Sequence, residues 1–180
     1  METLKVLVTG SVGFIGSHLA DELLSIGSNQ LHLKIVILRY HTTYGPRQRP
    51  DMAIYRWTKQ IFEGKPIVIY GDEAQTGDFT YISDVVDVTI KAAEIDGIED
   101  QIFNIGSGKR ISVNDTVKLL VEASGVNEAR VKYEPLKLGD VKDTHADISK
   151  AERLLGFRPK VELEDGLRCF IEWYRRRFSS

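Results

Sequence analysis

A glycine-rich turn near the start of the chain constrains its fold more than any other stretch. An apolar run at residues 6–8 leads into the sequence TGSVGFIG at residues 9–16, and a helical pattern of apolar residues follows. A strand that passes through a tight turn into a helix leaves backbone N–H groups unpaired at the positive end of the helix dipole. This order predicts the first half of a β-α-β unit with an anion-binding turn.

The glycines of this turn have the spacing GxxGxxG. Gly10 permits the tight turn, Gly13 lets the backbone approach a pyrophosphate, and Gly16 lets the helix pack closely on the strand. Phe14 and Ile15 lie between the last two glycines, and we expect all five residues to contact a dinucleotide. The alternative is a structural turn without a ligand, since glycine turns are common between strands and helices.

The second apolar run lacks a partner that a dinucleotide turn normally has. An acidic residue is expected at the end of the next strand, where it binds the ribose hydroxyls. Here the run at residues 33–38 is followed by Arg39 and Tyr40. The sequence therefore predicts weakened binding of the adenosine half.

Composition and charge restrict the class of protein. The chain has 180 residues, 42% hydrophobic and 28% charged, which suits one globular domain or two small ones. The net charge of -2 provides no basic field for nucleic acid, and no apolar run approaches the roughly 18 residues of a membrane span. The N-terminus does not resemble a signal peptide, and Cys169 has no second cysteine to pair with. We expect a cytoplasmic protein that binds neither nucleic acid nor membranes, with no metal site.

Hydrophobic periodicity predicts an α/β fold with a largely parallel sheet, because strands alternate with helices along the chain. Strands are predicted at residues 4–9, 33–38, 67–70, 79–82, 101–105 and 131–133. Helices are predicted at residues 14–26, 51–62, 85–95, 113–123 and 163–177, with a short one before Gly156. The second strand is expected directly beside the first, since short crossovers favour adjacent parallel neighbours.

Three helix starts carry polar side chains typical of N-terminal caps. These are Ser83 with Asp84, Ser112 with Asp115, and Ser149 with Glu152.

Several stretches, in the same order along the chain, resemble the extended short-chain dehydrogenase/reductases that act on nucleotide sugars, above all UDP-glucuronate and UDP-glucose 4-epimerases. They are residues 9–19, 38–47, 69–72, 75–86, 103–108, 139–141 and 146–147. The resemblance implies a Rossmann-like fold, NAD as cofactor and a UDP-sugar as ligand. Residues 1–40 then correspond to a remnant of the dinucleotide-binding domain and residues 41–180 to the C-terminal nucleotide-sugar-binding part, expected as one compact unit.

The middle of the family's sequence has no counterpart here beyond residues 27–32. In the family that region carries several strands, the acidic ribose contact, an active-site Ser or Thr and a catalytic Tyr-x-x-x-Lys helix. The tyrosine accepts a hydroxyl proton while hydride passes to the nicotinamide. Because a free tyrosine has a pKa near 10, the lysine and the cationic ring must lower that pKa.

Two stretches of this chain have the Tyr-x-x-x-Lys spacing. Tyr55 and Lys59 follow the Tyr-Gly-Pro motif, whereas the family's catalytic pair precedes it. Tyr133 and Lys137 are separated by Pro135, which prevents one helical face. We therefore assign no catalytic residue.

Five residues match substrate-binding positions of the family. Thr42 matches a threonine of the uronate enzymes that reaches the sugar or its phosphate, and Arg49 matches an arginine that faces the carboxylate. The Val68 backbone and the Tyr70 side chain match positions that flank the uracil ring. Asp140 matches the acid that accepts the uridine ribose hydroxyls. The alternative for each is an ordinary loop, strand or turn residue.

Two positions depart from the family's pattern at the diphosphate. Gly77 stands where an arginine is usual, and Lys137 stands where another arginine is usual. A lost charge-assisted contact corresponds to about 1.5–3 kcal/mol, or roughly tenfold to hundredfold in affinity. We therefore expect weak binding of UDP or a UDP-sugar.

Three hypotheses follow from these residues. The first is a relative of the NAD-dependent 4-epimerases, of UDP-glucuronate more than UDP-glucose type, that is inactive as this chain. The second is a non-catalytic nucleotide-binding or self-assembling module, a homo-oligomer formed by edge pairing or domain swapping. The third is an active epimerase, if the complete protein contains a middle segment absent from this chain.

Overall fold

The computed structural model describes residues 5–9, 18, 22, 25, 34–136 and 141–178. Part of the predicted binding machinery lies outside these described residues. This part consists of Gly10, Gly13, Phe14, Ile15 and Gly16 of the glycine turn, together with Lys137 and Asp140.

The described residues form strands and helices in alternation. The strands are β1 (Lys5–Thr9), β2 (Lys34–Tyr40), β3 (Thr43–Tyr44), β4 (Ile67–Tyr70), β5 (Thr76–Gly77), β6 (Thr80–Tyr81), β7 (Gln101–Ile105), β8 (Ile111–Ser112) and β9 (Val131–Glu134). The helices are α1 (Ala53–Phe62), α2 (Ile82–Glu94), α3 (Val113–Ser124), α4 (Ser149–Leu155) and α5 (Leu163–Phe178). His18, Glu22 and Ser25 are also helical.

A parallel sheet with the strand order β1-β2-β7 forms the centre of the fold. Thr9 is in register with Leu38 on β2, and Leu38 is in register with Phe103 on β7. The expected position of the second strand beside the first is confirmed, as is the α/β class. Because the strands are parallel, their carboxyl ends meet at one edge of the sheet, where ligands bind in open α/β folds.

Two apolar cores hold the elements together. The first lies between β2, β7, α2 and α4, and includes Val36, Val88 and Phe103. The second lies between α1, β4, α3 and α5, and includes Trp57, Leu120 and Phe170. The predicted domain boundary after residue 40 stays a prediction. In the described residues, β7, α2 and α4 pack with β2 although they follow that boundary in sequence.

One of the three predicted helix caps is confirmed. The Ser112 hydroxyl accepts a 2.9 Å hydrogen bond from the backbone N–H of Asp115 at the start of α3. The other two are wrong, because α2 and α4 are preceded by Tyr81 and Ile148, neither of which makes a side-chain cap bond.

Asp84 has a tertiary role in place of the predicted cap. It is buried in the first turn of α2, and its Oδ2 atom accepts hydrogen bonds from the backbone N–H groups of Lys160 and Val161 at 3.1 and 3.2 Å. A buried carboxylate requires such partners, because leaving it unpaired is unfavourable. Asp84 therefore joins α2 to the segment that leads into α5.

Tyr44 packs against a glycine in the first turns of α5. Its hydroxyl donates a 3.3 Å hydrogen bond to the Leu163 carbonyl, and its ring meets that of Tyr81 edge-on at 5.5 Å. A Cβ atom on Gly166 would overlap the Tyr44 hydroxyl. This close approach explains why a helix contains glycine at a buried position.

We predict that Gly166→Ala destabilises the protein. In most helices this change stabilises by roughly 0.5–1 kcal/mol, but here overpacking against Tyr44 should reverse the sign, by about 1–3 kcal/mol. Urea unfolding measures the difference. The same change in a Tyr44→Phe background should be less destabilising, since the nearest atom is gone, and a stabilised Gly166→Ala variant would contradict the packing.

Candidate functional site

A cleft of about 450 Å³ opens between the start of α1, the end of β4 and strand β5. We call it the α1–β4 cleft. Its wall includes Thr42, Met52, Arg56, Tyr70, Gly77 and Val141. Its volume lies within the roughly 300–1,000 Å³ typical of small-molecule sites.

A second cleft of about 700 Å³ adjoins the first. It is lined by the continuous segment 40–49, together with Met52 and Ile82, and we call it the Tyr-Gly-Pro cleft. Thr42 and Met52 line both clefts. The shared wall makes the pair suited to a ligand with two chemically different parts.

Side chains of α1 position strand β4 beside the cleft. The Trp57 indole N–H donates to the Val68 carbonyl at 3.0 Å, and Gln60 Oε1 accepts from the Val68 N–H at 3.1 Å. The guanidinium of Arg56, the residue before Trp57, lies 4.9 Å from the centre of the Tyr70 ring. The same face of one helix thus holds the backbone of β4 and covers an aromatic ring.

The structure brings together some of the predicted binding residues. Thr42 and Tyr70 line the α1–β4 cleft, and Arg49 lines the Tyr-Gly-Pro cleft. Arg49 forms an exposed ion pair with Asp51, at 3.0 Å. Val68 is not part of either cleft wall, and both its backbone polar groups are bound by side chains of α1.

Gly77 has a steric reason to lack a side chain. A Cβ atom on Gly77 would lie 2.8 and 2.9 Å from Cε2 and Cζ of the Phe79 ring, which is buried. A larger residue would require this ring to move. With the present packing, position 77 contributes backbone but no cation to the cleft.

Asp78 is a buried residue that the sequence analysis did not assign. Its carboxylate accepts hydrogen bonds from the backbone N–H groups of Ser107 at 2.6 Å, Gly108 at 3.1 Å and Ala146 at 3.0 Å. A Cβ atom on Gly106 would come within 2.9 Å of the same carboxylate. The sequence contained a signal for this residue, because Asp78 stands between Gly77 and Phe79 in a stretch, residues 75–86, that resembles the family.

We predict that Asp78→Asn destabilises the protein by about 2–4 kcal/mol, because a neutral amide replaces an acceptor of charge-assisted bonds and turns an NH₂ group toward N–H donors. Thermal and urea unfolding provide the measurement.

Asp87→Asn is the matched control. Asp87 forms an exposed pair with Lys160 at 3.0 Å, and we expect its loss to change stability by less than about 1 kcal/mol. Equal losses of unfolding free energy for the two variants would show that the buried hydrogen bonds of Asp78 stabilise the protein no more than an exposed ion pair does.

The tyrosines beside the Tyr-Gly-Pro cleft do not have the properties of a general base. Thr89 Oγ1 donates to the Val85 carbonyl at 2.6 Å, so Tyr40 must donate its own proton in the 2.7 Å bond between the two hydroxyls. Burial raises the pKa of Tyr40, and it raises the pKa of Tyr44 further. A catalytic tyrosine base needs a shift in the opposite direction.

Tyr55 lies in an aromatic cluster away from both clefts. Its ring centroid is 5.5–6.5 Å from those of four rings of α5, which belong to Phe170, Trp173, Tyr174 and Phe178. Lys59 lies within 3.7 Å of Glu63. These contacts account for Tyr55 as part of the packing between α1 and α5, and for Lys59 as a partner in an ion pair at the end of α1.

In the described part of the chain, no group of three or more His, Cys, Asp or Glu side chains is arranged to hold a metal ion. No helix among the same residues is long and apolar enough to cross a membrane.

A family comparison matches most of the chain. Residues 28–170 fit the family model described as GDP-mannose 4,6 dehydratase. The chain belongs to this family. Membership confirms the resemblance to NAD-dependent nucleotide-sugar epimerases and dehydratases that the sequence motifs indicated.

Similar proteins include UDP-sugar epimerases from bacteria. A UDP-glucuronate 4-epimerase of Thermodesulfobacterium geofontis is 44% identical over 154 residues, which are 84% of this chain and 47% of the relative. The crystal structure of Bacillus cereus UDP-glucuronic acid 4-epimerase, in complex with UDP-glucuronic acid and NAD, is 42% identical with a TM-score of 0.83. The match covers 91% of this chain and 51% of that one.

A third similar protein is the UDP-glucose 4-epimerase of Thermotoga maritima, solved with UDP-glucose. It is 34% identical with a TM-score of 0.81, and the match covers 91% of this chain and 53% of the other. The chain thus spans about half the length of the relatives it matches.

Proposed function

We propose that this chain is a relative of NAD-dependent UDP-sugar 4-epimerases that binds a UDP-sugar, of UDP-glucuronate more than UDP-glucose type, without catalysing epimerisation. The observation that carries the proposal is the pair of adjoining clefts with Thr42 and Met52 in their shared wall. The names and bound ligands of the similar proteins support the choice of ligand.

The two clefts suit the two ends of such a ligand. Arg56 covers one face of the Tyr70 ring, and the base would stack on the other face in the α1–β4 cleft. Val141, which follows the predicted ribose contact Asp140 in the sequence, lines the same cleft. Arg49 lies in the Tyr-Gly-Pro cleft, where the sugar would bind. Its ion pair with Asp51 is exposed, and such pairs contribute at most about 1 kcal/mol. Exchanging Asp51 for a uronate carboxylate would therefore cost Arg49 little free energy.

The proposal includes NAD as the ligand of the glycine turn. The residues Gly10, Gly13, Phe14, Ile15 and Gly16 would hold its pyrophosphate, and they lie outside the described residues. The described strand β1 and the helical positions that follow fit the strand and helix on either side of such a turn. When bound, NAD would supply a hydride acceptor. We expect weak binding, since no acid follows the second strand at the ribose position.

Lack of catalysis follows from the tyrosines. No Tyr-x-x-x-Lys helix precedes the Tyr-Gly-Pro motif, and Tyr55 packs among the rings of α5. Burial raises the pKa of Tyr40 and Tyr44. Neither Tyr40 nor Tyr44 is therefore suited to accept the sugar hydroxyl proton at neutral pH.

Calorimetry with UDP-glucuronate, UDP-glucose and UDP tests the binding. We expect Tyr70→Ala to weaken the binding of all three compounds by roughly fivefold or more, since base stacking contributes about 1–3 kcal/mol. Tyr133→Ala is the control, because Tyr133 is 40% exposed on the neighbouring strand β9 and its hydroxyl pairs with Asn114. Failure of the unsubstituted chain to bind any UDP compound would refute the proposal.

The same preparation, supplied with NAD, tests for catalysis. We expect no interconversion of UDP-glucuronate and UDP-galacturonate, and measurable turnover would refute the inactive state. A native protein with an intact mass well above 20.3 kDa would favour the third hypothesis, an active epimerase with an additional middle segment.

A specific observation favours self-assembly as a second candidate function. Ile82, Val86 and Ile90 occur four residues apart on α2 and are 36%, 47% and 53% exposed, which forms an apolar stripe on one face of the helix. Within the described residues, β1 and β7 each pair only with β2, so both have one open edge. We propose a homo-oligomer formed through this stripe or these edges, by edge pairing or by domain swapping.

Light scattering tests the assembly. We expect a mass above that of one chain, and we expect Ile90→Glu to lower it, because burying a charge at an apolar interface is unfavourable. Leu154→Glu is the control, since Leu154 is 40% exposed on α4, outside the stripe. A strict monomer would contradict the proposal. A monomeric Leu154→Glu variant would show that the loss of assembly is not specific to the apolar stripe.

A further inference from the structure

We infer that Arg56 is the anion-binding residue of the α1–β4 cleft and that it contacts the diphosphate of the nucleotide. The inference rests on the proposed function, and it assigns a role to a residue that the sequence motifs did not single out. Among the described residues that line this cleft, the charged ones are Asp51 and Arg56. The Asp51 side chain is 67% exposed, so solvent screens its negative charge, and Arg56 provides the positive charge of the cleft.

Arg56 differs from the cations around it because no carboxylate of the described residues forms an ion pair with it. Lys59, one turn along α1, pairs with Glu63, while Lys132 and Lys142 on neighbouring segments also have acidic partners. Within the described region, the contact of the Arg56 guanidinium is the face of Tyr70, at 4.9 Å. A half-buried guanidinium without an acidic partner favours an anion from outside the chain.

The stacking on Tyr70 prepares Arg56 for this role. A cation over an aromatic face is attracted by the ring quadrupole, by about 0.5–2 kcal/mol. The stacked guanidinium keeps donors free at its edge, where they can form two parallel bonds with phosphate oxygens. Because the side chain is held in advance, less conformational entropy is lost when the anion binds.

The opposite wall explains why the cation comes from α1. Gly77 has no side chain, and the buried Phe79 ring occupies the space that a Cβ atom would need. The N-terminus of α1 reinforces the local field, since Met52 makes no side-chain cap bond and the first turn contains no acidic residue. The charges of the cleft therefore favour a diphosphate at the start of α1.

Calorimetry with three probes tests the role of Arg56. The probes are UDP, uridine and inorganic pyrophosphate, and the variants are Arg56→Gln, Arg56→Lys and the control Lys59→Gln on the same helix. We expect Arg56→Gln to weaken the binding of UDP and of pyrophosphate by roughly tenfold or more, and the binding of uridine by less than about twofold. Arg56→Lys should retain part of the affinity, because lysine keeps the charge but loses the fork.

The outcomes separate this inference from the proposed function. If UDP binds Arg56→Gln as tightly as Lys59→Gln, the role of Arg56 is refuted and the UDP-sugar proposal stands. If Arg56→Gln weakens the binding of uridine as much as that of UDP, Arg56 acts only by positioning the Tyr70 ring against the base, and the inference is again refuted. If the unsubstituted chain binds neither UDP nor pyrophosphate, both fail. Thermal unfolding of each variant shows that it is folded under the conditions of binding.

Discussion

The buried carboxylate of Asp78 connects segments that are far apart in sequence. It accepts backbone hydrogen bonds from the loop after β7 and from Ala146, and it directly follows Gly77 in the cleft wall. A charge in this position is tolerated only because three N–H donors compensate for the lost water. The position of the cleft relative to the central sheet depends on this network, although Asp78 does not line the cleft itself.

Helix α1 combines structural and binding roles on successive residues. Trp57 is buried in the second core and binds the backbone of β4, while Arg56 reaches the ring of Tyr70 at the cleft. Because the contacts of Trp57 hold the strand, the contact of Arg56 is free to serve a ligand. Stability and anion binding are thus assigned to neighbouring side chains, and substitutions can separate them.

The described residues form two adjoining clefts, and the sequence has no Tyr-x-x-x-Lys stretch before its Tyr-Gly-Pro motif. The similar proteins are about twice as long, and those solved with UDP-sugars include the Bacillus cereus and Thermotoga maritima epimerases. The resemblance implies that the catalytic tyrosine and the UDP-sugar contacts belong to different segments of the chain. A chain of this kind can therefore keep a nucleotide-sugar site, as we propose, while Tyr40 and Tyr44 remain buried with raised pKa values.

The sequence by itself determined the features that depend on short-range patterns. The strand at residues 101–105, the Ser112 cap and the α/β class were all predicted, because periodicity and capping involve residues a few positions apart. Only the tertiary structure decided the partners of buried polar groups. Asp84 resembled a local cap yet binds backbone 76 residues away, and Asp78 binds Ala146 across 68 residues. Arg56 likewise gained a role only when folding placed it over an aromatic ring, because a charged side chain's partners depend on packing that no local pattern encodes.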